Sequence, residues 1–266
     1  MSRLLLCFSL LVGSVKIFAT AQIPDLLIYK GDTLMLYANP LELLPNVDSL
    51  RDKMFGPKVV GSTACWRGYQ AEWTVVNQEL FLTAIYSCSY KDDRPKADLK
   101  QLFGKKCKEG KVRANWVTAK MIVPKGKRLY YVHMGYESLY EFENEFQFKR
   151  GKLLQVTIYD NSKSRRSIYS QDSILKKFIY SHINWEILPK DSTVAKVVVQ
   201  FSANEQGGID QVKVMWGQKP IYDQEAIRVV CSIPEWNVFY RRGKHERNEW
   251  NLPIHFSPEN RKKYAQ

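Results

Sequence analysis

The last third of the chain, residues 174–257, switches hydrophobic period in an order that few folds accept. Ile174, Phe178, Ile179 and Ile183 form an apolar stripe at helical spacing, behind Asp172 or Ser173 as cap. Two period-2 stretches follow. Val197, Val199 and Phe201 oppose Lys196 and Gln200, then Val212, Val214 and Trp216 oppose Lys213 and Met215, with Gly207-Gly208 as the turn. A second helix is expected with Asp223 as its N-cap, worth about 1 kcal/mol over Ala. Ala226, Val229, Val230 and Ile233 lie on its buried side, Pro234 stops it, and Trp236 closes the core. In the final strand, 249–257, Trp250, Leu252, Ile254 and Phe256 point inward while Asn251, Pro253 and His255 point outward. Pro253 has no amide hydrogen to give, so this strand is expected at an edge, with that position turned to the open side. The whole reads as an α+β unit, two helices on a three-stranded antiparallel sheet.

The preceding part, 22–160, reads as an all-β antiparallel meander curling into a barrel or sandwich, with two short helices near 46–54 and 97–103. Strands turn at Lys30-Gly31-Asp32. A two-residue loop at Asn77-Gln78 sets Tyr69, Ala71, Trp73 and Val75 opposite Tyr86, Ala84, Leu82 and Leu80. Further strands are expected at 115–123, 128–134, 139–148 and 153–159. A three-residue loop through Gly151 would place Phe146 opposite Leu154 and Phe142 opposite Ile158. Residues 161–171, beginning "NSKSRR", are polar and aperiodic and read as a linker; 258–266 reads as a tail.

Residues 1–21 have the form of an export signal: Arg3, an apolar run, then Ala19-Thr20-Ala21. The run is shorter than the ~20 apolar residues that span a bilayer. Cleavage after Ala21 and a periplasmic or envelope location are therefore expected. Net charge is +13, and losing Arg3 and Lys16 with the leader leaves +11. The basic residues cluster at expected turns, so they imply peripheral, salt-screened attraction to anionic envelope surfaces. No reading helix or aromatic–basic platform suggests nucleic acid. In that register Cys88 faces Arg67 and not Cys65, so Cys88–Cys107 is the preferred disulfide, with all four thiols of 22–266 free as the alternative.

"AKVVVQFSANEQGGIDQVKVMWG", "DQEAIRVVCSIPEW" and "NLPIHF" together resemble the TonB C-terminal domain family over about 174–257. The resemblance implies a periplasmic module that grips an extended peptide of an outer-membrane receptor by strand addition at its last strand. Carried over residue by residue, the docking strand is Glu249 to Phe256, including Pro253, with Asn251, His255 and the nearby Arg242 as readers. Two departures stand out: Pro253 leaves the docking edge one donor short, and "RRGKHER" can extend as a hairpin. A membrane anchor and long spacer, which family transducers need, are not expected here. The front part, through "WRGYQAEW" and "YVHMGYESLYEF", resembles exported β-rich proteins of Bacteroides-like bacteria, a likeness that brings no function.

Catalytic and cofactor motifs are not found: no GxSxG, HExxH, phosphate loop or CxxC. His133, His182, His245 and His255 stand singly, so no metal or cofactor is expected. Glu141, Glu143 and Glu145 read as a solvated strand face, and Cys231 as a small core residue. The leading expectation is a non-enzymatic envelope protein that binds a peptide segment of a receptor or another envelope protein. A homodimer is left open. One rival keeps the leader as the anchor of a short transducer. The other makes the front domain a carrier or inhibitor, with Trp66, Trp73, Trp116, Tyr130 and Tyr131 lining a ligand cup.

Overall fold

The computed structural model describes residues 21–56, 62–88, 94–133, 135–190 and 194–265. Apart from Ala21, the leader lies outside them. Strands β1 (Asp25–Tyr29) and β2 (Asp32–Leu36) turn at Lys30 and Gly31, both at positive φ. After helix α1 (Val47–Met54) come β3 (Tyr69–Val76) and β4 (Glu79–Ser87), joined by the expected Asn77-Gln78 loop. Helix α2 (Leu99–Phe103) starts on Asp98, whose carboxylate accepts the Lys100 and Gln101 amides at 2.7 and 3.1 Å. Then follow β5 (Cys107–Lys108), β6 (Lys111–Arg113), β7 (Ala119–Tyr130), β8 (Leu139–Lys149) and β9 (Lys152–Asp160).

These strands form one nine-stranded sheet in the order β2-β1-β3-β4-β9-β8-β7, with β6 also paired to β4 and β5 paired to β6. The sheet is mixed and not the antiparallel meander expected, because β1 runs parallel to β3. The long crossover through α1 is what makes a parallel pair possible. It does not close into a barrel. Its ends approach at Tyr37, whose amide donates to the Ile122 carbonyl at 2.8 Å, without a β2–β7 ladder.

Three corrections to register share one cause. In the β3–β4 hairpin Trp73 faces Leu82 and Val75 faces Leu80, as read, but Thr83 is an extra residue in β4. Beyond it Ala71 faces Ile85 and Tyr69 faces Ser87. Likewise β8 and β9 are joined by two residues, Arg150 and Gly151 at φ 51° and 76°, and Leu154 is the extra residue. Phe146 therefore faces Val156, and Phe142 faces Asp160. The turn expected near 125–128 is an irregularity inside one continuous strand, β7. Each bulge inserts one residue without interrupting the strand.

The β4 bulge also changes the disulfide. With Tyr69 opposite Ser87, the Cys88 amide reaches the Gly68 carbonyl (3.1 Å), and the turn at 62–68 brings Cys65 alongside. The bond joins Cys65 and Cys88, Cα atoms 6.3 Å apart, so the Cys88–Cys107 pairing is wrong. Cys107 is free and buried; Cys231 is free and exposed, against the core place expected for it.

Trp73, Tyr69, Phe146 and Phe148 fill the interior of the first unit. Against them lies a buried ion pair, Asp25–Arg67 at 3.3 Å, with both side chains fully enclosed. Asp25 also accepts the Trp73 indole and the Ala71 amide, each at 3.1 Å. Burial pushes the Asp25 carboxyl up to about 6, against the pull of the Arg67 guanidinium.

The second unit contains α3 (Asp172–His182), β10 (Ala195–Ala203), β11 (Ile209–Trp216), α4 (Pro220–Cys231), β12 (Phe239–Arg241), β13 (Lys244–Glu246), β14 (Trp250–Phe256) and α5 (Pro258–Tyr264). Its antiparallel sheet runs β11-β10-β14, and a separate core gathers Phe201, Phe256, Trp236, Val197 and Val229. Shifts at Met215 and near Gln211 turn Trp216 outward, where it is half exposed, contrary to the inward place expected.

The expected linker is a strap fastened to both units. Arg165 and Val238 exchange backbone bonds at 2.8 and 3.0 Å, and the Ser167 amide donates to Asn237 Oδ1 at 2.9 Å. Asn161 is buried; its side chain donates to the Tyr140 carbonyl and accepts the Gly243 amide. Short polar side chains thus do what an aperiodic sequence does not announce, satisfying backbone groups without a ladder.

Candidate functional site

Strand β14 pairs on one side only, with β10, over seven consecutive positions from Ala195–Phe256 to Phe201–Trp250 without a register shift. Its outer side can be assigned residue by residue. The His255 amide donates to Tyr180 Oη at 3.2 Å, and its carbonyl accepts from Asn260 Nδ2 at 2.8 Å. Those partners lie on α3 and α5, so the His255 main chain points away from β10. Alternation turns the main chains of Pro253 and Asn251 the same way. Pro253 therefore costs the ladder no hydrogen bond, as the edge argument requires. The outer side of β14 is left with the Asn251 amide and carbonyl and the Pro253 carbonyl.

Helix α5 lies where a tail was expected. Ser257 accepts the Asn260 amide at 3.2 Å with Pro258 in the first turn, and Tyr264 stacks on Tyr180, ring centres 5.4 Å apart. Ser-Pro before "ENRKKY" is a helix-start signal that could have been read.

A groove of about 450 Å³ runs between α3 and the start of β14. Leu175 and Ile179 form one wall, Trp250 and Leu252 the other, with Trp236 between them. Trp236 packs edge-on to Phe201 and Trp250, centres 5.0 and 5.8 Å apart, and donates its backbone amide to the Gly207 carbonyl. Gly207 sits at φ 89°, and a Cβ there would come within 3.2 Å of the Trp236 carbonyl, so the turn excludes side chains. A second cavity, about 540 Å³, adjoins it; Tyr130 and Trp250 line both. Its walls come from both units, including Glu137 and Leu139 of the first and Phe239, Glu246 and Glu249 of the second.

The expected site residues separate into two groups. Asn251, Pro253 and His255 follow one another along β14, and Glu249 lies just before it at the second cavity. Arg242 does not join them. It forms the tip of the β12–β13 hairpin with Gly243 and donates its amide to Glu143 Oε2 at 3.0 Å, docking on the first sheet. Neighbouring Arg241 bonds Glu246 at 3.1 Å and the Glu137 carbonyl at 3.1 Å. Asp223 is not an N-cap: α4 starts earlier, at Pro220 behind Lys219, and the Asp223 carboxylate accepts the Gln218 amide from within the first turn. Pro234 follows the helix end, which lies at Cys231.

Glu143 and Glu145 are buried and not solvated as expected. The hairpin tip covers Glu143, and Lys120 pairs with Glu145 at 2.9 Å. The proposed aromatic cup also falls apart: Trp73 is buried, Trp66 is exposed, and Trp116 stacks on Phe103 and donates to the Pro40 carbonyl. Tyr130 alone of that group reaches both cavities. Comparison of the chain with protein families, with curated proteins and with solved structures finds no match.

Proposed function

We propose that this is a non-enzymatic protein of the bacterial envelope whose second unit binds an extended polypeptide segment of a partner by strand addition along β14. The observation that carries this reading is the edge itself: in regular register, without a strand partner on its outer side, and flanked by a largely apolar groove. A segment laid there gains main-chain bonds from Asn251 and Pro253 and drops a side chain between Leu175 and Trp250. The motif resemblance to the TonB C-terminal domain favours an outer-membrane receptor as the source of the segment, and the leader-like start of the chain favours the envelope. The packed interior of the first unit speaks against the carrier reading.

Asn251→Pro removes the last amide donor on the outer side of β14 while leaving the β10 ladder intact. Binding to an array of extended decapeptides should fall at least tenfold, while the lost side-chain bond from Gln200 to Asn251 costs only about 1 kcal/mol of stability. Undiminished binding by this variant would falsify strand addition.

A further inference from the structure

We propose that the two adjoining cavities form one composite peptide site, and that the wall supplied by the first unit selects a segment carrying a Lys or Arg side chain. The inference rests on the docking role of β14 and adds what that role does not require: a specificity contribution from the other unit.

Continuity is the first argument. Tyr130, at the end of β7, and Trp250, at the start of β14, line both cavities, so a chain paired at Asn251 runs from the groove directly into the cleft between the units. The β12–β13 hairpin fixes the width of that cleft. Phe239 packs on Tyr130, centres 4.9 Å apart, and Arg241 and Arg242 hold the hairpin to Glu143 and to the Glu137 carbonyl. The other end of the edge is blocked, because Tyr180 and Asn260 already occupy the outer groups of His255. The incoming segment must therefore extend toward the cleft.

Charge is the second argument. Glu137 and Glu249 line the cleft, are exposed, and form no ion pair among the described residues, whereas Glu246 is held by Arg241. The chain as a whole carries +13, so most of its surface repels cations. Two uncommitted carboxylates beside Phe239 and Trp250 make the opposite environment: Arg241 in the same wall is held by Glu246, and Arg166 already covers the Tyr130 ring, 5.6 Å from its centre. A Lys or Arg side chain suits it, with its aliphatic stem along the rings and its charged head between the carboxylates. An acidic segment is repelled there.

Decapeptides with a constant Val/Leu core and Lys, Glu or Ser placed at either end test this by fluorescence anisotropy. The Lys series should bind about tenfold more tightly than the Glu series, and Glu137→Lys should reverse that order. Because Glu137 is exposed, the variant's melting curve should match that of the parent. If no peptide binds, the docking role of β14 fails. If peptides bind and Asn251→Pro abolishes binding, but Lys and Glu series are equivalent or Glu137→Lys changes nothing, the composite site fails and the docking role stands. Concentration-dependent self-association abolished by Glu137→Lys would also overturn the proposal, by giving the cleft to a second copy of the chain.

Discussion

The two sheets treat their edges in opposite ways. The first brings its outer strands together at Tyr37, which bonds Ile122, shares a 2.8 Å hydroxyl contact with Tyr140 and stacks on Tyr136. The second leaves two edges, and they differ from one another. β11 is interrupted twice, with Gln211 at φ 49°, which spoils it as a template. β14 is regular, yet a proline and two side-chain caps restrict its outer side to a short stretch around Asn251. An edge so arranged offers a template to a short segment at most, which protects the chain from sheet-to-sheet aggregation.

If the first unit is a frame whose sheet ends meet at Tyr37 and the second keeps an open edge, damage to the core of the frame should cost stability far more than docking. The largest effect is expected for Arg67→Met, which strands the Asp25 carboxyl in the core. Chemical denaturation should show a loss of about 3–5 kcal/mol. The pH profile comes next. Asp25 holds its proton more tightly folded (about 6) than its ordinary value of 3.8. Below the lower value both states are protonated and nothing changes. Between about pH 4 and 6 the unfolded state loses the proton first, so stability declines by about 3 kcal/mol and then levels off. Denaturation at stepped pH should show this component, and Asp25→Asn should remove it.

Replacing Cys65 and Cys88 by Ser opens a bridge across a sequence separation of 23 and should lower stability by about 2–4 kcal/mol. A variant as stable as the parent under non-reducing conditions would argue against that bond. The smallest effect sharpens the contrast within β14. His255→Pro loses the bond to Tyr180, about 1 kcal/mol, but should leave peptide binding intact, unlike Asn251→Pro. Equal loss of binding in both would mean that the outer side of His255 also docks the partner.

Much of this was legible in residue periods. The Asn77-Gln78 loop, the facing of Trp73 and Leu82, the buried stripe of α4 and the edge place of β14 all follow from spacing and from the covalent chemistry of proline. Thr83 and Leu154 were not legible, because a bulge adds one residue without altering the apolar or polar character of its neighbours. From Thr83 onward every facing shifts by one, and that single step carried the disulfide assignment away from Cys65. Glu143 and Glu145 misled for a related reason. Alternation tells which residues share a face, but not whether a hairpin 99 residues away in sequence will cover that face.

The candidate site divides along the same line. Local covalent and hydrophobic pattern alone determined that residues around Pro253 form a strand with an unpaired side, since period-2 alternation and a missing amide hydrogen act within a few residues. Only the tertiary structure decided how much of that side stays open, through Tyr180 and Asn260, and that Tyr130 and Glu137 of the other unit stand beside it. Those contacts join positions far apart in the chain, and their free energy depends on the assembled geometry, which no local period encodes.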